Sequence, residues 1–126
     1  MKIEITQKDK DLLLKDLSNR LPYSVKIHED IQGDFTLIGL VNDRVITTCE
    51  VDGCHNNFPI EIIKPYLFPF SNMTEEQEKE CQQIKHSYYY DDDSFVLFDW
   101  YNKNHFDYRG LIEKGLAIDA TNKNIY

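Results

Sequence analysis

The sequence lacks any run of lysine and arginine, any long apolar run and any flexible glycine–serine stretch. It contains 14 Lys and Arg against 22 Asp and Glu, a formal net charge of −8, and this balance repels phosphate backbones. We therefore expect no direct binding of nucleic acid. We also expect no membrane partner, because a spanning helix needs about 20 apolar residues. The absence of linkers and internal repeats predicts a single globular domain over residues 1–126.

We also expect no secretory signal, because the first residues, MKIEITQKDKDLLLKDL, intersperse charges among the leucines. The chain has three cysteines, Cys49, Cys54 and Cys81. An odd number in a chain without an export signal indicates reduced thiols in a reducing compartment. The sequence therefore predicts a cytoplasmic protein.

Near the start of the chain, leucines recur with the spacing of one face of a helix. Leu13, Leu17 and Leu21 recur at intervals of four residues, which is typical of one helix face. Thr6 is a favourable N-cap residue, and Pro22 disfavours helical conformation in the residue before it. We expect a helix between these two positions.

β-rich segments follow this helix. Apolar and polar residues alternate in YSVKIHED, and two further runs, DFTLIGLV and RVITTCEV, are separated by Asn42 and Asp43. These two residues favour turns, so the pattern predicts a hairpin. Val45 and Thr47 should share one face of the second strand. The chain then turns at Asp52-Gly53, and we expect CHNN to continue as a loop.

Three prolines in FPIEIIKPYLFPF limit the next segment to a short helical turn over residues 60–64 and an extended apolar strap. Thr74 and Gln77 form a capping box that predicts a helix through about Lys85. Residues 95–105 are compatible with a helix or a strand, and a helix with Ser94 as its cap is favoured. The sum is an α+β fold: a small antiparallel sheet of three to four strands packed with three to four helices.

The stretch HFDYRGLIEKGLAIDA places His105, Asp107 and Arg109 within five residues. An enzyme could use His105 as a general base that Asp107 orients. Residues two apart in a turn rarely converge, however, and no nucleophile lies nearby in sequence. Asp107 is better explained as the cap of a new helix that ends at Gly115 with positive φ, with Arg109 paired to Asp107 or to a nearby carboxylate. We therefore assign no catalytic residue.

Three phrases, LLLKDLSNRLPYSVKIH, PIEIIKPYLFPFSNMTEEQ and NKNHFDYRGLIEKGLAIDA, resemble a group of small uncharacterised acidic proteins of gut anaerobic bacteria and their phages or mobile elements. The resemblance extends over nearly the whole chain. It implies a bacterial or phage cytoplasmic protein, and no activity or catalytic residue is established in that group.

Other residue clusters match no known metal or cofactor site. Cys49, Cys54-His55, Cys81 and His86 contain enough ligands for one zinc ion, but their spacing does not form the usual knuckle. Three consecutive aspartates in residues 91–93 lack the frame of a calcium loop. No glycine-rich phosphate loop is present. We expect neither a metal nor a cofactor.

The strongest surface candidate is an aromatic and acidic segment between the last two predicted helices. Tyrosine provides a large contact area at low entropic cost, and acidic neighbours select a basic partner. The tentative partner-binding residues are Tyr88, Tyr89, Tyr90, Asp91, Asp92 and Asp93. Neighbouring acidic residues Glu75, Glu76, Glu78 and Glu80 would extend the same face.

These observations leave three hypotheses. The favoured one is a non-enzymatic, cytoplasmic protein-binding domain with a basic partner, in the role of a phage or mobile-element accessory protein. The second is an acidic mimic of nucleic acid, which requires carboxylates spaced like phosphates. The third is a small enzyme that uses His105, Asp107 and Arg109.

Overall fold

The computed structural model describes residues 5–49, 54–87 and 94–126. Within these ranges the chain forms a six-stranded mixed sheet and three α-helices. The predicted α+β class is therefore confirmed. The predicted detail of an antiparallel sheet with three to four strands is wrong, because the sheet has more strands and one parallel pair. None of the helices in the described ranges has the length and apolar character required to cross a membrane.

The first helix forms as the sequence predicts. Helix α1 spans Gln7–Arg20, and Thr6 Oγ1 accepts a 3.0 Å hydrogen bond from an amide of the first turn. Leu13 and Leu17 are buried on its inner face. Pro22 lies in a 3₁₀ turn directly after the helix, which agrees with its effect on the preceding residue.

The sheet has its strands in the order β4-β3-β2-β1-β5-β6. All neighbouring strands are antiparallel except the parallel pair β5 and β6. The hairpin predicted around Asn42 is confirmed, and Asn42 itself has φ of 55°. The strands are β1 (Lys26–Glu29), β2 (Gly33–Val41), β3 (Arg44–Thr48), β4 (His55–Pro59), β5 (Ile63–Leu67) and β6 (Ile118–Asp119).

Strand β4 replaces part of the loop expected for CHNN, so that prediction is wrong. Asparagine is a poor strand former, but pairing with β3 overrides this preference here. Asn56 Nδ2 donates a 3.0 Å hydrogen bond to the Thr48 carbonyl, and Phe58 is buried opposite Val45. The sequence cue was therefore the single apolar residue Phe58. The turn expected at Asp52-Gly53 lies outside the described residues.

The extended apolar strap is strand β5, inside the sheet. The short helical turn before it covers only Ile60–Ile62 and not residues 60–64. Pro65 lies opposite Ile27 of β1, while β6 pairs only with the last two residues of β5. A proline has no amide to donate, and its position before the β6 pairing makes it tolerable in this strand.

The two later helices are confirmed. Helix α2 spans Glu75–Ser87, and its capping box is complete: the Gln77 amide donates to Thr74 Oγ1 at 3.1 Å and the Thr74 amide donates to Gln77 Oε1 at 2.9 Å. Helix α3 spans Ser94–Lys103, so the ambiguous segment is helical through Lys103.

The helix predicted between Asp107 and Gly115 is wrong, because these residues form consecutive turns. Asp107 does cap a turn: its two carboxylate oxygens accept hydrogen bonds from the amides of Leu111 and Ile112 at 2.8 and 2.9 Å. Gly115 has the predicted positive φ, 76°. Gly110 also has a positive φ, 72°, and this conformation inside the segment prevents a helix from propagating.

The buried apolar side chains form two clusters, which we name by their composition. In the aliphatic layer, α1 packs against one face of the sheet, with members Leu13, Leu17, Val25, Ile27, Leu37, Val45, Phe58, Ile60, Ile63, Leu67, Leu111, Leu116 and Ala117. The aromatic layer includes side chains of α2 and α3; its buried members are Cys81, Tyr101 and Phe106, and the partly buried side chains packed against them are Phe68, Met73, Leu97, Trp100 and Tyr108.

Candidate functional site

A groove of about 1060 Å³ lies along α2 where this helix meets the aromatic layer. We call it the α2 groove. Its walls combine charged and amide side chains of the helix with aromatic and sulfur-containing side chains. The lining residues are Phe70, Met73, Glu75, Glu78, Lys79, Cys81, Gln82, Gln83, Lys85 and Tyr101.

Two of the side chains that line the groove are buried. Cys81 and Tyr101 are buried, and the Cys81 thiol lies 3.8 Å from the Tyr101 hydroxyl. Burial, with the contact to Cys81, raises the pKa of Tyr101 to about 12, so the phenol stays protonated at neutral pH. Phe70 packs against Tyr101 with ring centroids 5.0 Å apart, although 44% of Phe70 is exposed.

Aromatic surface continues beyond the groove onto α3. Phe98 is 45% exposed, and its ring lies 6.2 Å from the Tyr101 ring and 5.2 Å from the Tyr108 ring. Exposed Phe70 and Phe98 therefore both pack against the same buried tyrosine. The aromatic layer thus reaches the surface at two points around Tyr101.

Acidic side chains border the groove at the start of α2. Glu75 and Glu78 line it, and both belong to the first turns of the helix. Their carboxylates also lie favourably near the positive end of the helix dipole. Lys79 and Lys85 line the groove further along. The charged side chains that line the groove therefore change from acidic near the start of α2 to basic further along the helix.

The tentative partner-binding segment predicted from the sequence, Tyr88 to Asp93, lies outside the described residues. In sequence it joins the end of α2 to the start of α3. The neighbouring acidic residues Glu75, Glu76, Glu78 and Glu80 are described and exposed.

The three residues of the enzyme hypothesis have separate roles. Both oxygens of Asp107 accept backbone amides, whereas Arg109 Nε donates to Asp16 Oδ1 at 3.1 Å. In the described part of the chain, none of the three is joined to another by a hydrogen bond or ion pair. Arg109 therefore pairs with a carboxylate 93 positions away in the sequence, and not with Asp107 as one of the predicted alternatives had it. His105 has a different environment again.

His105 packs against the aromatic side chain of Tyr126. The two rings are stacked with centroids 3.7 Å apart, and His105 has φ of 63°. Burial lowers the pKa of His105 to about 4, with a smaller contribution from the positive charge of Arg20. The imidazole is therefore neutral at pH 7, and its buried Nδ1 has no hydrogen-bond partner. Within the described ranges, no carboxylate is hydrogen-bonded to this ring to orient it for proton transfer.

A buried ionic network joins α1 to the aromatic layer. Asp16 and Arg20 are both fully buried, and Arg20 Nε donates to Asp16 Oδ2 at 2.7 Å. Arg20 also donates to the carbonyl oxygen of Phe106 at 2.7 Å. The ring of Tyr108 lies 5.2 Å from the guanidinium carbon of Arg20 and 4.9 Å from that of Arg109. These contacts hold the turns around residues 106–109 against α1.

A second polar cluster lies across β1, β2 and β5. Asp34 Oδ1 is 2.7 Å from both His28 Nδ1 and the Tyr66 hydroxyl. Burial opposes ionisation of Asp34, but the hydrogen bonds from His28 and Tyr66 outweigh it and lower the pKa of this carboxyl. His28 Nε2 faces Asp30 at 3.2 Å. Both imidazole nitrogens of His28 therefore face carboxylates of neighbouring residues.

The possible metal ligands do not converge in the described residues. No group of three or more His, Cys, Asp or Glu side chains there could hold a metal ion. Cys49 and Cys54 lie at the adjoining ends of β3 and β4, whereas Cys81 is in the aromatic layer. The side chain of His86 lies outside the described residues.

Sequence reasoning missed the α2 groove, the buried network and the cluster around Asp34. The spacing of Asp16 and Arg20, four residues apart on a helix, was a visible signal for one ion pair. The contact of Arg109 with Asp16 joins residues 93 positions apart, and no local pattern predicts it. Searches against protein-family models, curated proteins and solved structures found no match.

Proposed function

We propose that this chain is a protein-binding domain, and that the α2 groove with its acidic border is the contact surface. The observation that supports this most directly is the exposed aromatic surface around Tyr101, made by Phe70 and Phe98. The partner would be a basic polypeptide segment that also has apolar side chains. The resemblance to mobile-element proteins suggests the role of an accessory protein.

Exposed phenylalanines next to a groove are favourable binding residues. Anchors in protein interfaces are enriched in aromatic side chains that fill or border pockets. Phe70 and Phe98 are already held by their contacts with Tyr101, so binding would restrict few additional rotamers. Covering the exposed parts of both rings would contribute favourable burial of apolar area.

The charge of the border determines the kind of partner. Glu75 and Glu78 line the groove and Glu76 and Glu80 are exposed beside it, while the whole chain has a net charge of −8. Such a surface attracts basic segments and increases their association rate at low salt. The partner predicted from the sequence has the same character.

The two other hypotheses receive less support from the geometry. Lys79 and Lys85 line the groove among its glutamates, and interleaved positive charges interrupt an array of carboxylates spaced like phosphates. For the enzyme hypothesis, His105 stacks on Tyr126 and Asp107 is occupied by backbone amides. The protein-binding hypothesis requires neither an array of carboxylates spaced like phosphates nor a catalytic arrangement of His105 and Asp107.

Selection of a random-peptide display library against the full chain tests this function. We expect enriched peptides that combine Lys or Arg with aromatic or aliphatic residues. A triple variant, Phe70→Ala with Glu75→Gln and Glu78→Gln, should bind them at least tenfold more weakly, because it removes one aromatic anchor and two carboxylates.

The matched control changes the same number of side chains away from the groove: Ile31→Ala, Asp11→Asn and Glu113→Gln, all at exposed positions. This control alters the net charge equally and should bind the selected peptides like the original chain. Equal weakening of both variants would indicate non-specific charge attraction. That outcome, or enrichment of acidic peptides, would reject the proposed contact surface.

A further inference from the structure

Two of the three cysteines lie opposite one another at one end of the sheet. Strands β3 and β4 are antiparallel, and the last pair in their register is Thr48 with His55. Continuing this register by one residue places Cys49 opposite Cys54. Opposed residues in an antiparallel pair have Cα atoms about 4.5–5.5 Å apart, and disulfides join Cα atoms about 4.4–6.8 Å apart. The backbone positions are therefore suitable for a disulfide.

The electrostatics of Cys54 also reflect the proximity of Cys49. The pKa of Cys54 is raised, chiefly by a hydrogen bond with the Cys49 side chain. Cys54 is exposed and Cys49 is partly exposed, so small molecules can reach the pair. Cys81, in contrast, is buried in the aromatic layer against Tyr101.

We propose that Cys49 and Cys54 form a reversible intramolecular disulfide, and that a low-molecular-weight disulfide such as oxidised glutathione is the oxidant. The thiolate of one cysteine attacks the oxidant, breaks its sulfur–sulfur bond and releases one reduced glutathione. The second cysteine then attacks the mixed disulfide, forms the bond between Cys49 and Cys54 and releases the second glutathione. Two cysteine protons pass to the two released thiols, so the pair is oxidised as the oxidant is reduced.

This bond would act on the edge of the sheet. Strand β4 is one of the two edge strands of the described sheet and pairs only with β3 there. A bond between residues 49 and 54 closes the end of that pair. Oxidation would therefore reduce local opening of β4, and reduction would restore it. A pair of this kind is suited to a reducing compartment, where disulfides are transient and respond to redox conditions.

Equilibration of the full chain with glutathione buffers of increasing oxidised fraction tests the proposal. After acid quenching, the expected product is a monomer lighter by two hydrogens, with Cys49 and Cys54 protected from alkylation. Cys81 should be alkylated once the quenched chain is denatured, and it serves as the internal control. Hydrogen exchange at the amides of β4 should be slower in this product than in the reduced chain.

Single variants distinguish an intramolecular bond from other oxidation products. Cys49→Ser should stop at the mixed disulfide and retain one glutathione on Cys54, because the second attacking thiol is missing. In the unaltered chain, the same glutathione adduct as the stable end product would overturn the proposal. A chain that stays fully reduced, a bond that includes Cys81, or disulfide-linked dimers would also overturn it.

Discussion

The aliphatic layer and the aromatic layer are both covered by helices, but they are closed to different degrees. Leu13 and Leu17 of α1 are fully enclosed against the sheet. Over the aromatic layer, Phe70 and Phe98 pack on a buried tyrosine and yet remain almost half exposed. The first layer therefore has the organisation of a folding core, whereas the second is partly a surface.

The difference between the layers has a chemical origin. Aliphatic side chains fill the space between a helix and a sheet closely and leave no polar atoms to satisfy. Aromatic side chains retain favourable ring-edge contacts even when one side of the ring faces water. A layer made of aromatic residues can therefore be stable and also present binding surface. In this protein, one ring of an aromatic cluster, Tyr101, is buried while the neighbouring rings Phe70 and Phe98 are partly exposed.

The largest expected effect comes from the ionic network that joins the two layers. Replacing Asp16 by Leu leaves Arg20 as an uncompensated buried charge, and we expect the free energy of unfolding to fall by about 3–5 kcal/mol. Replacing both Asp16 and Arg20 by Leu should recover part of that loss. The control is Asp11→Leu on the same helix, where an exposed hydrogen bond with Gln7 is removed.

Urea denaturation measures all three variants. The exposed Asp11 change should alter the free energy of unfolding by no more than about 0.5 kcal/mol. If the double replacement were as destabilising as Asp16→Leu alone, the unpaired charge would not be the cause of the loss. The network would then act through packing instead.

A second prediction compares truncation of a side chain inside the aliphatic layer with truncation of an exposed ring that packs on the aromatic layer. Leu17→Ala should lower the free energy of unfolding by about 3 kcal/mol, because it opens a cavity in the closed layer. Phe98→Ala should cost about 1 kcal/mol, because much of that ring is already in water. Chemical denaturation of both variants checks the difference. Equal losses would mean that the aromatic layer is as closed as the aliphatic one.

A third prediction uses the pH dependence of His105, which lies beside the aromatic layer. Its pKa is about 4 in the folded chain against an ordinary value of 6.5. Protonation therefore favours the unfolded chain, so stability is complete above pH 6.5 and decreases as the pH falls toward 4. After allowance for partial exposure, the loss should be about 1–2 kcal/mol.

The matched variant for this test is His105→Asn, because asparagine tolerates the positive φ of 63° at this position. Asparagine does not titrate, so the free energy of unfolding of the variant should change less between pH 6.5 and pH 4. The pKa of Asp34 is also lowered in the folded chain. Protonation of this carboxyl therefore favours the unfolded chain too, and stability falls further at lower pH. If the free energy of unfolding of the variant fell with pH as steeply as that of the original chain, His105 would not be the source of the pH dependence.

Local sequence signals were sufficient for much of the fold. The Thr6 cap and the leucine spacing predicted α1, the capping box at Thr74 predicted α2, and Asn42 marked the hairpin turn. Each of these signals acts over a few residues, where intrinsic preferences determine the conformation. The same signals therefore appear in the sequence and in the structure.

The remaining features depend on contacts between distant residues. Strand β6 has two residues and is fixed by parallel pairing with β5, more than 50 positions earlier in the chain. The turns after Asp107 resembled a helix because the positive φ of Gly110 was not evident from spacing. For the site, the acidic residues of α2 were predicted, whereas the groove requires Phe70 and Tyr101 to meet across the aromatic layer.

The comparison of Phe70→Ala with Leu17→Ala tests the central claim most directly, with unfolding free energy and binding of the selected basic peptides measured on the same samples. We expect Phe70→Ala to lose about 1 kcal/mol of stability and at least tenfold in affinity. Leu17→Ala should lose about 3 kcal/mol and bind normally while folded. If Phe70→Ala instead lost as much stability as Leu17→Ala and kept its affinity, the aromatic layer would be a second closed core, which would contradict the proposed binding surface.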